Sequence, residues 1–278
     1  MRLVKQLLAL AAVAVVGGQS VAAVADSFLL TLVIGSVTAV LGVVVYRWLV
    51  RRTERREPTE LGLDGWGGKL GRGMLIGFAM FGSVIASIAF LDGYHVEGWG
   101  SPTGALGLLG FMAAAAVTEE LLFRGVLFRI IEERTGTWTA LALTGVVFGA
   151  MHLANPDASL WGAIAIAIEA GFMLAACYAA TRNLWIPIGL HFGWNIAAGG
   201  IFSVVVSGNG QSKGLLEAST SGPVALSGGA FGPEGSLYAV SAGVMLTVVF
   251  LWLAKRRGHI VASRRRTAQA PATATVTQ

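Results

Sequence analysis

The feature that most constrains this chain is a series of long apolar runs separated by short polar breaks. Each run approaches the ~20 residues that a helix needs to cross a bilayer. Hydrocarbon offers the backbone no water, so each run must close its own hydrogen bonds as a helix. Composition agrees: 55% of the 278 residues are hydrophobic and 13% charged, against roughly 25% charged in soluble domains. The expected fold class is all-α, a polytopic integral membrane protein of about eight transmembrane helices. The spans read as 7–25, 28–49, 70–91, 104–128, 138–153, 160–180, 184–206 and 236–254. The 38 glycines suit close helix packing in a membrane and do not argue for disorder.

The basic residues test this arrangement. With the N-terminus in the cytoplasm, every Lys and Arg except Lys213 falls on the inner side, the bias that the positive-inside rule expects. An even number of spans with both termini cytoplasmic follows, and the location is the cell membrane, multi-pass. The net charge of +5 is then a topology signal and a contact for anionic lipid. Nucleic acid is not an expected partner. Residues 1–60 form an N-terminal helical hairpin and a cytoplasmic basic loop, and 61–206 the motif-bearing core. An extracytoplasmic Gly/Ser-rich loop, 207–235, precedes the last span and a disordered cytoplasmic tail, 236–278. That loop reads as a plain loop in preference to a lid. Arg2 and Lys5 ahead of an apolar stretch ending Ala23-Val24-Ala25 also resemble a signal peptide, but the next run begins at once, at Phe28, which favours a hairpin. The lone cysteine, Cys177, permits no intrachain disulfide and reads as a packed core residue.

Charges inside hydrocarbon are costly and usually functional. The acidic residues deep within spans are Glu119, Glu120 and Glu169, and the histidines His152 and His191. Glu120 and Arg124 stand at i and i+4 in the favourable order for an ion pair, which assigns them a supporting role. Neighbours on a helix point about 100° apart, so Glu119 is expected to face another helix and serve as a general base. Phe148 and His152 share one helix face, as do His191 and Asn195. A rise of 1.5 Å per residue places Glu119 roughly 15 Å, His152 roughly 21 Å, His191 roughly 14 Å and Asn195 roughly 20 Å from the inner ends of their spans. All four fall in one slab near mid-membrane. Each alone has a bland reading, a histidine or glutamate bonding a neighbouring helix, and Glu169 stays evenly divided between that and function. Trp185 and Trp194 read as packing or interfacial residues.

Two chemistries fit the constellation. Glu119, His152 and His191 have the residue types of a zinc site with an open position. Alternatively they polarise water without metal, with Asn195 as an oxyanion donor. One task per residue favours the metal-free version, and zinc is the alternative. No His-Glu-x-x-His, Gly-x-Ser-Gly or paired membrane aspartates occur.

Glu119-Glu120-x-x-x-Arg124, Phe148-x-x-x-His152 and His191-x-x-x-Asn195, in this order on separate spans, resemble the three motifs of the CPBP family. That family comprises the CAAX prenyl endopeptidases and the bacteriocin-processing or abortive-infection membrane proteins. The motif-bearing part runs over 61–198. The resemblance implies an intramembrane endopeptidase, a hydrolase with a cavity open to the cytoplasm. It implies water activation by Glu119 with His152, oxyanion stabilisation by His191 and Asn195, and support from Glu120 and Arg124. The implied partner is a peptide or lipidated-peptide substrate within the lipid bilayer. The alternative function is a non-enzymatic membrane scaffold or immunity factor that retains the fold, with a transporter third.

Overall fold

A computed structural model describes residues 2–263; the expected disordered tail lies outside the described residues. Seven helices are long and apolar enough to cross a membrane: α1 (Arg2–Ala22), α2 (Phe28–Glu54), α3 (Trp66–Phe90), α4 (Pro102–Thr135), α5 (Thr137–Ala154), α6 (Leu160–Thr181) and α8 (Leu237–Arg256). Between α6 and α8 runs α7, an 11-residue α-helix (Trp185–Asn195) continued by a 6-residue π-helical stretch (Ile196–Ile201). It is shorter than the 184–206 expected, because the chain turns extended after Phe202. It nonetheless runs from the end of α6 at Arg182 towards the end where α8 starts.

One end of the bundle is tied together by polar contacts. Arg129 pairs with Glu54 at 2.6 Å, Gln6 donates to Glu54 at 2.8 Å, and Arg2 pairs with Glu133. Arg182 bonds Glu132 at 3.0 Å, Arg257 donates to the Ala180 carbonyl at 3.0 Å, and Val261 pairs with Thr137. The start of α1 and the segment after α8 therefore sit at the same, basic end, which the positive-inside rule makes cytoplasmic. Many of the basic residues are thus paired with carboxylates as well as marking topology.

At the opposite end, β1 (Tyr94–Trp99) and β2 (Leu216–Thr220) form an antiparallel pair, with Tyr94 opposite Thr220 and an irregularity between Val96 and Gly98. This small sheet is an addition to the all-α expectation. The 207–235 segment is therefore not the plain loop expected. It pairs its backbone in β2, makes a helical turn at Val224–Ser227, and sends Glu234 into the protein, 1% exposed.

Small residues set the helix contacts. Gly73 and Gly77 on α3 face Gly189 and Gly193 on α7 so closely that a Cβ on Gly77 would sit 2.1 Å from the Leu190 oxygen, and one on Gly193 2.3 Å from the Met74 oxygen. With little hydrophobic drive between helices in lipid, such close backbone approach supplies the packing. It fixes α7, which carries His191 and Asn195, against α3. Gly35 and Gly110 bring α2 and α4 together in the same way.

Candidate active site

Three of the helices that carry the singled-out residues depart from α geometry next to them. π-helical stretches occupy Leu121–Phe128 on α4, Ala167–Phe172 on α6 and Ile196–Ile201 on α7. Such stretches cluster at functional sites and free carbonyls from the i−4 ladder. Arg124, 1% exposed, uses this: its Nη2 donates to the carbonyls of Ala170 and Gly171 at 2.9 and 3.0 Å. Its Nη1 donates to Glu120 Oε1 at 2.8 Å, the pairing expected from the i,i+4 spacing. The guanidinium also lies 4.7 Å from the Phe148 ring centre, a cation–π contact.

Glu119 and Glu120 do not diverge as the helix angle alone implied. Both reach His191, at its two nitrogens. Nδ1 lies 3.0 Å from Glu120 Oε1 and Nε2 lies 4.0 Å from Glu119 Oε2. Two long side chains on adjacent helix positions can converge on opposite edges of one ring. The carboxylate of Glu120 accepts, so Nδ1 carries the hydrogen and Nε2 is left to face Glu119. Glu119 Oε2 is enclosed and has no hydrogen-bond partner among the described residues.

His152 is fixed by the carbonyl of Phe148, 2.8 Å from its Nδ1. A carbonyl only accepts, so Nδ1–H is the donor and Nε2 of the neutral ring keeps its lone pair. Phe148 thus holds His152 with its backbone and Arg124 with its ring. His152, His191 and Asn195 line a cavity of about 20 Å³, room for roughly one water molecule. The Asn195 side chain makes no hydrogen bond among the described residues, and its residue is buried. The expected constellation therefore comes together: three members on the cavity, and Glu119 beside His191.

Glu169 and Glu234 line the same cavity, as do Trp194 and Ser207. Glu169 does not bond another helix: neither carboxylate oxygen has a partner among the described residues. Glu234 accepts from Trp194 Nε1 at 2.6 Å and from Ser207 Oγ at 2.8 Å, and the Ser207 amide also donates to it. Sequence reasoning missed Glu234 because it stands in a Gly-rich segment outside the spans; only its place directly before the last span hinted at burial. Trp194 packs edge-on to Phe81, 4.8 Å between centroids, as a packing residue should, and also serves the cavity. Because Ser207 and Glu234 come from the 207–235 segment, that segment bounds the cavity on the side away from the basic end.

The zinc alternative can be tested on the donor set. Among the described residues no three His, Cys, Asp or Glu side chains converge closely enough to hold a metal ion. In this geometry the candidates Glu119, His152 and His191 do not form a ligand set.

This geometry is that of a polytopic membrane protein with an enclosed Glu/His/Asn site, and sequence comparison gives it relatives. Residues 101–197 match the family described as type II CAAX prenyl endopeptidase Rce1-like. Over 79 residues the chain is 32% identical to the protein named "Putative membrane peptidase YdiL" of Bacillus subtilis (strain 168). That alignment covers 28% of this chain and 30% of the relative's length. Both findings support the CPBP family for the motif-bearing segment. No solved structure matches.

Proposed function

We propose that the chain is an intramembrane endopeptidase that hydrolyses peptide bonds of peptide or lipidated-peptide substrates by water activation on Glu119. The observation that carries this reading is His191 held between Glu119 and Glu120, with Asn195 and His152 on the adjoining cavity. A water within ~2.8 Å of both Glu119 Oε2 and His191 Nε2 spans their 4.0 Å separation with ordinary hydrogen bonds. Glu119 takes one proton from this water, and His152 Nε2 accepts its other hydrogen and orients it. The water oxygen bonds to the scissile carbonyl carbon. The carbonyl oxygen becomes an oxyanion, which the Asn195 amide and the Nε2–H of a His191 imidazolium, protonated on both nitrogens between Glu119 and Glu120, stabilise. Glu119 then returns its proton to the departing nitrogen as the C–N bond breaks. Glu120 and Arg124 hold the His191 ring through Nδ1.

The test is cleavage of a peptide library by the purified protein in detergent or liposomes. Glu119→Gln keeps the side-chain shape and removes the base, so activity should fall by about two orders of magnitude or more with thermal stability retained. Normal turnover by this variant removes Glu119 from the mechanism. Activity should also survive purification in chelator. Stoichiometric zinc, whose removal kills activity and whose return restores it, would replace the metal-free steps and leave the peptidase reading standing.

A further inference from the structure

The site is shared between two packing units. His152 stands at the end of α5, and α5 packs on α6: a Cβ on Gly149 would lie 2.3 Å from the Ala163 oxygen. His191 and Asn195 stand on α7, which packs on α3 through Gly189 and Gly193. At the depth of Glu120 the units are joined. Arg124 bonds two carbonyls of α6 and lies against Phe148 of α5, and Glu120 holds His191. A single tie leaves two rigid bodies free to pivot about it. A second tie, at another depth, is needed to fix the distance from His152 to Asn195 across the cavity.

Glu234, 1% exposed, makes that second tie. Its Oε1 accepts from the indole Nε1 of Trp194 at 2.6 Å, and Trp194 is the chain neighbour of Asn195 on α7. Its Oε2 accepts from the Ser207 hydroxyl at 2.8 Å and from the Ser207 amide. The Ser207 carbonyl accepts in turn from Asn155 Nδ2 at 2.6 Å, and Asn155 closes the short turn that begins at His152. Beside it, the Asp157 amide donates to the Gly208 carbonyl at 2.9 Å. Ser207 is thus held at its amide, its hydroxyl and its carbonyl. Its φ of 51° lies in the left-handed region that residues with a side chain rarely adopt, a conformation that persists where surrounding bonds over-determine it. The backbone next to Glu234 is anchored to α6, because Trp161 Nε1 donates to the Gly235 carbonyl at 2.7 Å.

We propose that Glu234 is a positioning residue for the hydrolysis: through Trp194 on one side and through Ser207 and Asn155 on the other, it sets Asn195 against His152 across the cavity. This deepens the peptidase reading and rests on it. Glu234 makes and breaks no bond itself. Its effect on rate is geometric, because reacting groups held slightly out of place lose much of their advantage.

Two variants open the tie with little change of shape. Glu234→Gln replaces one acceptor oxygen by an NH2 group, which faces an N–H donor whichever way the amide turns. Trp194→Phe removes the indole N–H and keeps a ring against Phe81. Each should lower kcat by about tenfold or more with KM near the wild-type value, measured well below the melting temperature. The double variant should be no slower than the slower single one, since both open the same link. A purely structural Glu234 gives another pattern, a lower melting temperature with wild-type kcat. That pattern, or single losses that multiply in the double variant, overturns the proposal. Hydrogen exchange reads the tie without turnover. In Glu234→Gln the amides of Asn155, Asp157 and Ala158 should exchange faster, while those of α3 keep their rates. Unchanged exchange at these three amides with an active wild type overturns the tie. Faster exchange there with no peptide cleaved by wild type sinks the peptidase reading and keeps Glu234 as the link between the two units. No cleavage and no change in exchange sinks both.

Discussion

At the scale of residues, the site depends on one buried ion pair that does more than neutralise itself. Glu120 accepts from Arg124 and from His191 through the same oxygen, Oε1. Arg124 adds two carbonyls of α6 and the face of Phe148. Removing either partner leaves a bare charge in the bundle, which costs about 3–5 kcal/mol. Glu120→Ala and Arg124→Ala should therefore melt well below wild type in detergent. A variant that melts like wild type yet is inactive would instead put that residue in the chemistry. The sequence spacing made the pair legible. It could not show that Glu119 and Glu120 converge on one imidazole, because that depends on where α7 sits beside α4.

At the scale of elements, punctuation and packing are written locally. Each helix that starts at the outer end, α2, α4, α6 and α8, opens on a serine: Ser27, Ser101, Ser159 and Ser236 accept from the amides of Leu30, Gly104, Gly162 and Ala239. These caps satisfy first-turn amides that otherwise have no partner. The Gly73/Gly77 and Gly189/Gly193 spacings are equally visible, and their consequence is steric. Gly77→Val would drive a side chain into the α7 backbone, so the variant should lose thermal stability and, by shifting His191, peptide cleavage. A fully stable and active Gly77→Val protein would contradict the α3–α7 contact. The loop after α2 carries a different prediction. Burial alone would raise the Glu60 carboxyl, but the bonds from Arg56, 2.8 Å to each oxygen, and from Tyr46 outweigh it and hold the group below its ordinary range. Its folded form thus prefers the charged state, so its stabilising contribution is present above the unfolded pKa of about 4.3 and is lost as pH falls below it. Thermal melts in detergent should hold level from neutral pH to mildly acidic pH and then drop. Glu60→Gln should be less stable at neutral pH and show a shallower acid decline. An identical pH profile in the two proteins would show that the Arg56 contact contributes nothing.

At the scale of the whole molecule, the crossings put the basic clusters at one end and the paired strands at the other. The native thiol, Cys177, is buried, so introduced cysteines report topology cleanly. In intact cells a membrane-impermeant maleimide should label Ser221→Cys, exposed at the strand end. It should label Arg52→Cys, exposed at the basic end, only after permeabilisation. The reverse pattern would invert the orientation and place the Glu234 side of the cavity in the cytoplasm.

The polytopic α-helical membrane class, the gathering of basic clusters at one end and the motif residues followed from the sequence, whereas seven helices are long and apolar enough to cross where about eight were expected. Each rests on a pattern confined to one segment: apolar length, charge per loop, or i,i+4 spacing. Tertiary structure alone decided the rest. Glu234 reaches the cavity from a segment that by composition is a surface loop, because Trp194 and Ser207 satisfy it there. Glu169 has no hydrogen-bond partner among the described residues, and α8 closes over it at Gly243. Strand β2 forms because β1, more than a hundred residues earlier, offers its backbone groups. A partner that distant leaves no periodicity in the chain, so only the folded arrangement of the helices could reveal which acidic side chains share a cavity.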